Sequence, residues 1–194
     1  MTSRQKHSLV SLASIWGSLE QARKPTPYVL IDCAGIDGGQ SGILREAFSE
    51  LECLFTGDLA LELADVGPYL GRMKSYDPNV KAVLENMLES HVALLLTLEI
   101  PVAEHEEITF SQVHRHFRKF NVVYDPTGKP LFFRYYDPRV LVNVLAELDA
   151  EQLNDFFGPV DTMILADLNG VATSCALQGG KLLVSKSPHL VLIR

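Results

Sequence analysis

Cys33 lies at the end of an apolar run and would serve as a nucleophile if a base or a positive field drew off its proton. His91, His105, His114 and His116 are the candidate bases, but nothing in their spacing brings any of them to Cys33. A buried structural thiol, packing as a small hydrophobe, is the preferred reading. His114-x-His116 offers two imidazoles to a metal, yet on a helix residues two apart point about 200° from one another. Arg115 and Arg118 would also repel a cation, so histidines facing solvent or a partner are expected instead. Asp32-Cys33-Ala34-Gly35-Ile36-Asp37-Gly38-Gly39 has the flavour of a phosphate loop, but neither GxGxxG nor GxxxxGK[ST] is present. An ordinary Gly-rich connection is favoured. The serines lack a GxSxG nucleophile elbow. No catalytic, cofactor-binding or metal-ligating set is therefore assigned.

Arg134-Tyr135-Tyr136-Asp137-Pro138-Arg139 is the most distinctive grouping. Asp137 can cap a helix that begins at Pro138, and either arginine can pair with it or with another carboxylate in a planar fork. A structural corner is the first reading and direct contact with a partner the second, and one site can do both.

The elements that would position these residues follow from pattern. Leu9, Leu12, Ile15, Trp16 and Leu19 recur at helical spacing until Pro25 and Pro27 intervene. Tyr28–Cys33 reads as a buried strand entering the Gly-rich loop, Leu44–Leu51 as a short helix, and Cys53-Leu54-Phe55 as a second strand. Leu59–Gly71 is ambiguous. Val80, Val83, Leu84, Met87, Leu88 and His91 mark a helix capped at Asp77-Pro78. The run Val92–Leu98 is a candidate buried strand. Phe110, Val113, Phe117 and Phe120 mark a further helix, its exposed face carrying His114, Arg115, Arg118 and Lys119. Asn121–Tyr124 and Leu131–Tyr136 flank Asp125-Pro126-Thr127-Gly128-Lys129-Pro130 as a β-hairpin. Val140, Leu141, Val144, Leu145 and Leu148 then form one helical face, Leu153, Phe156 and Phe157 begin another, and Gly158-Pro159 ends it. Met163–Leu165, Val171–Leu177 and Leu182–Val184 read as short strands, with Leu190–Ile193 as a candidate edge strand.

Interspersed helices and strands with at least one hairpin predict a mixed α/β (α+β) fold: a short-stranded mixed sheet with amphipathic helices. The chain has 194 residues, 47% hydrophobic and 21% charged, enough to bury a substantial core. A single domain over 1–194 is expected, with the acidic Pro101–Glu107 segment as the division between an N-terminal lobe, 1–100, and a C-terminal lobe, 101–194. Seventeen Lys and Arg against twenty-four Asp and Glu give a net charge of −7, which disfavours general binding to nucleic acid or anionic membranes. The apolar run within His91–Leu98 falls far short of the roughly 20 residues that cross a bilayer. Met1–His7 carries Arg4 and Lys6, but Ser8–Leu19 is unlike a signal-peptide core, so a cytoplasmic location is expected. Cys33, Cys53 and Cys175 are too few and too widely spaced for a disulfide framework or a zinc knuckle.

The run Leu131-Phe132-Phe133-Arg134-Tyr135-Tyr136-Asp137-Pro138-Arg139-Val140-Leu141, followed by Phe156-Phe157-Gly158-Pro159-Val160, resembles the bacterial type VI secretion effector adaptor or chaperone family, formerly catalogued as a domain of unknown function. Tyr28-Val29-Leu30-Ile31-Asp32-Cys33-Ala34 looks like that family's opening strand. Leu54-Phe55-Thr56-Gly57-Asp58-Leu59 through Ala64-Asp65-Val66-Gly67-Pro68-Tyr69-Leu70 looks like its next signature. The resemblance covers a family-like core, 28–160, in the same order, and leaves Met1–Thr26 and Asp161–Arg194 unmatched.

The resemblance implies a non-enzymatic cytoplasmic adaptor, without a cofactor, that binds a cognate toxin effector and assists its loading onto the valine-glycine-repeat spike protein. Arg134, Tyr136, Asp137 and Arg139 are the residues expected at, or supporting, the partner-facing corner. The competing expectations are a small nucleotide- or thiol-dependent enzyme and a generic protein-interaction domain.

Overall fold

The computed structural model describes residue 16 and residues 26–98, 108–166 and 172–186. The expected first helix, apart from Trp16, the Pro101–Glu107 division and the candidate strand Leu190–Ile193 lie outside those residues. Nine strands are present among them: β1 (Tyr28–Asp32), β2 (Phe48–Cys53), β3 (Pro68–Met73), β4 (Ala93–Leu98), β5 (Val122–Tyr124), β6 (Pro130–Phe132), β7 (Val160–Ala166), β8 (Ala172–Gln178) and β9 (Lys181–Lys186). Five α-helices accompany them: α1 (Asp58–Leu63), α2 (Pro78–Glu89), α3 (Phe110–Arg118), α4 (Pro138–Leu145) and α5 (Ala150–Phe157).

Seven strands form one sheet in the order β2-β3-β1-β4-β7-β8-β9, and β5 and β6 pair separately as a hairpin. The α+β class is as expected, and the mixed sheet resolves into one in which every pairing is antiparallel. The β4–β7 pairing carries this sheet across the 100/101 division.

Both faces of the sheet are covered, which explains the uninterrupted apolar runs of its central strands. Alternate residues of β1 point opposite ways: Tyr28 and Leu30 join one core, Val29 and Ile31 the other. β4 divides in the same manner, with Leu94 and Leu96 on the first face and Ala93 and Leu95 on the second. The first core is closed by Phe110, Val113 and Phe117 of α3, Leu141 and Leu145 of α4, and Phe156 and Phe157 of α5. The second is closed by Leu84 and Leu88 of α2 together with Ile43, Ala47 and Trp16, whose indole Nε1 donates to Glu85 Oε1 at 2.7 Å.

The helix starts obey local capping chemistry. Asp77 and Asp137 each accept a backbone N–H two residues on, with proline at the first turn of α2 and α4. Thr109 with Gln112 and Asp149 with Gln152 form capping boxes on α3 and α5. Several segments depart from the sequence expectation. Cys53-Leu54-Phe55 is no strand of its own, since Cys53 ends β2 and Leu54 and Phe55 lie past it. Of the expected strand Leu131–Tyr136 only Leu131 and Phe132 pair, in β6. Leu44–Leu51 is not a helix: a short 3₁₀ turn at Arg45–Ala47 leads into β2, whose Leu51 lies opposite Gly71 on β3. The ambiguous Leu59–Gly71 stretch resolves into α1, a 3₁₀ turn at Ala64–Val66 and most of β3.

Candidate functional site

The run following β6 builds a corner from residues far apart in the chain. Asp32 ends β1 and caps a 3₁₀ turn by accepting from Ala34 N at 3.3 Å. Its side chain is 1% exposed, and its Oδ2 accepts from Arg134 Nη2 at 2.6 Å. Arg134 also lies 3.6 Å from Asp137 Oδ2, so one guanidinium spans two buried carboxylates. Asp137 caps α4 through Arg139 N and is gripped in a fork by Arg139 Nε and Nη2, both at 2.8 Å. Burial disfavours ionisation of Asp137, but the Arg139 bonds and the Arg134 charge outweigh it and hold the carboxyl below its ordinary value. Tyr136 is buried beside them, and burial plus the Asp32 charge push its phenol up to about 12, keeping it neutral. The corner therefore offers solvent two half-exposed guanidinium heads, Arg134 and Arg139, held from beneath by Asp32, Tyr136 and Asp137.

Next to the corner, the hairpin presents apolar surface. Tyr124, Leu131 and Phe132 are exposed, Tyr124 to 70% and Phe132 to 59%. Its turn is held by the Asp125 carboxylate, which accepts from Thr127 N, Thr127 Oγ1 and Lys129 N. Its base is anchored in the core. Phe133 N donates to Asn121 O at 3.1 Å, and Asn121 Nδ2 donates to Leu54 O at 2.7 Å. The Tyr135 hydroxyl, fully buried, donates to Phe117 O at 2.9 Å and lies 3.1 Å from Asn121 Oδ1. A short exposed hairpin is marginal by itself, so these tertiary bonds fix its position. Beside it runs a cleft of about 490 Å³ between residues 54–59 and the end of α3, lined by Leu54, Phe55 and Leu59 and by Arg115, Arg118 and Lys119.

The other sequence candidates fall into structural roles. Burial, reinforced by the Asp32 charge, pushes the Cys33 thiol up to about 12, leaving a negligible thiolate population at neutral pH. His91 Nδ1 hydrogen-bonds Ala166 O, and His114 Nε2 and His116 Nε2 each donate to a carbonyl, of Cys53 and Phe156 respectively, at 2.9 Å. His105 lies outside the described residues. The expectation that His114 and His116 face solvent or a partner is therefore corrected: both rings are half-buried and tied to neighbouring backbone. His116 packs edge-on against Phe117 and Phe120, which is why the aromatic cluster accommodates an imidazole. The Gly-rich loop serves packing, since a Cβ on Gly39 would overlap the Asp65 carbonyl. Sequence reasoning missed the pairing of Asp32 with Arg134 and the cleft beside α3. Only the basic spacing at 115, 118 and 119 hinted at the latter.

The family described as Domain of unknown function (DUF4123) matches residues 27–155, more than half of the chain. The chain belongs to that family. Its DUF4123 region runs from the residue before β1 into α5, and so contains the corner, the hairpin and the cleft. No curated protein and no solved structure matches the chain. Strands β7 to β9 lie beyond the matched region, although β7 completes the sheet beside β4. Among the described residues, no helix is long and apolar enough to cross a membrane.

The His116 environment gives a pH prediction for this DUF4123 domain. Burial foremost, with the Lys119 charge adding to it, lowers the His116 pKa below its ordinary 6.5. As pH falls below 6.5 the unfolded chain takes up a proton that the folded chain resists, so His116 makes stability decline with acid, and its contribution is intact above that value. Urea denaturation at pH 7.5 and pH 6 is expected to show a larger acid loss for the native chain than for His116→Gln. Equal losses would place the pH dependence elsewhere.

Proposed function

We propose that the chain is a cytoplasmic adaptor that captures a cognate type VI secretion toxin effector and assists its loading onto the valine-glycine-repeat spike protein. The reading is supported by the resemblance of residues 28–160, taken in the same order, to the adaptor family; the DUF4123 family covers most of that stretch and is itself described as a domain of unknown function. The structural observation that carries it is the corner: two guanidinium heads, immobilised on buried carboxylates, immediately following an exposed apolar hairpin. Arginine and aromatic side chains dominate the energetic centres of protein interfaces, and pre-positioned ones lose less entropy on binding. Arg134 and Arg139 would touch the effector while Tyr136 and Asp137 support them. An interface of roughly 1,200–2,000 Å² gives specificity while remaining releasable when the spike complex forms. Release requires that the spike complex favour the unbound adaptor by differential affinity.

A thiol-dependent enzyme is the weaker reading, because the Cys33 thiol is buried and held protonated. A generic interaction domain would bind a partner without affecting spike loading. The test is co-purification with the toxin encoded nearby, combined with toxin secretion in cells lacking the gene. Stable capture and lost secretion are expected, and Arg139→Ala should weaken capture at least about tenfold in a chain that still folds. Undiminished capture by folded Arg139→Ala overturns the contact assignment. Normal toxin delivery in the deletion strain, with turnover of a small molecule abolished by Cys33→Ser, overturns the adaptor reading.

A further inference from the structure

We infer that the cleft beside α3 and the exposed rim of the hairpin form one docking site for an acidic, apolar-anchored segment of a partner protein. Arg115, Arg118 and Lys119 are exposed at positions three and four residues apart, which sets them as neighbours on one helical face. Among the described residues none of the three forms an ion pair, whereas Arg72, Arg134 and Arg139 each meet a carboxylate. Three adjacent cations repel one another and create a local positive field on a chain whose net charge is −7. Cations suit the end of a helix, but the helix dipole does not account for the apolar floor between them and residues 54–59. The cleft and the hairpin are continuous: Val122 lines the cleft and opens β5, and the ring of Phe55 in the cleft lies 6.3 Å from that of Phe132 on the hairpin.

A free anion would use the cations and leave Tyr124 and Phe132, which share the face of the hairpin that Val122 turns to the cleft, in water. Nucleic acid would gain from three cations but would meet an overall negative chain. A protein segment carrying carboxylates on one side and Leu or Phe on the other satisfies both halves of the surface, and charge complementarity would speed its encounter. This inference rests on the adaptor reading for the partner being a protein, and it specifies the chemistry recognised.

The probe is a fluorescein-labelled peptide with Leu and Phe on one helical face and Glu on the other, titrated with the full chain and followed by fluorescence polarisation. Saturable binding is expected that weakens with added salt, falls at least about tenfold in Arg115→Glu/Arg118→Glu, and falls independently in Phe132→Ser. Unchanged melting of the variants keeps the comparison on binding. The site is refuted by any of four results: no saturable binding, equal binding of the analogue with Lys in place of Glu, full affinity in the charge-reversed variant, or tighter binding of an oligothymidine than of the acidic peptide. Refutation here leaves toxin co-purification standing. Peptide binding without toxin capture would instead sustain the cleft and sink the adaptor reading.

Discussion

Arg134→Ala is expected to destabilise the fold by about 2–4 kcal/mol, read as a lower urea midpoint. The loss comes from Asp32, a carboxylate 1% exposed whose salt bridge runs to Arg134 at 2.6 Å. Removing one member of a buried pair leaves the other charged and poorly solvated. The figure stays below that for a fully enclosed pair because Arg134 is 45% exposed, so water can enter the vacated space. Asp32→Asn in the same chain removes the stranded charge while keeping an oxygen to cap Ala34 N, and the double variant should recover most of the loss. A wild-type midpoint for Arg134→Ala would show that the bridge does not hold the corner. Reduced effector capture by Arg134→Ala mixes contact with folding, whereas Arg139, bonded to the capping Asp137 and further exposed, separates them better.

Gly158→Ala is expected to cost a similar amount, about 2–4 kcal/mol, for two separable reasons. Gly158 closes α5 with φ +51° and ψ −115°, a backbone conformation that side chains resist, and its N–H donates to Asn154 O at 3.0 Å. An added Cβ would also run into the His116 ring, which is held by its bond to Phe156 O. His116→Ala in the same chain removes the collision and leaves the backbone strain, so relative to His116→Ala alone the glycine substitution should cost about half as much. Wild-type thermal stability for Gly158→Ala would refute both terms.

The corner shows how local signals and tertiary contacts share the work. Asp137-Pro138 followed by Leu141 and Leu145 specifies α4 from neighbours alone, because cap, fixed φ and apolar stripe all act within a few residues. The same holds for α2 after Asp77-Pro78 and for the hairpin around Asp125–Pro130. Thr109 and Gln112 carried an equally local helix-start signal, legible as T-x-x-Q. The helix expected over Leu44–Leu51 gives way to a strand because alternation starts only at Glu50, past a bulge between Phe48 and Glu50, so the segment 44–51 carries too little of it and pairing to β3 decides the outcome.

What the residues determine unaided in this protein is the set of capped helices, the hairpin turn and strands apolar enough for burial on both faces. Tertiary structure alone decides that those strands pair antiparallel, that His114 and His116 turn inward, and that Asp32 meets Arg134 across 102 positions of sequence. Caps and turns draw on bonds between chain neighbours, whereas strand direction and a buried ion pair take their energy from groups brought together only when the core closes.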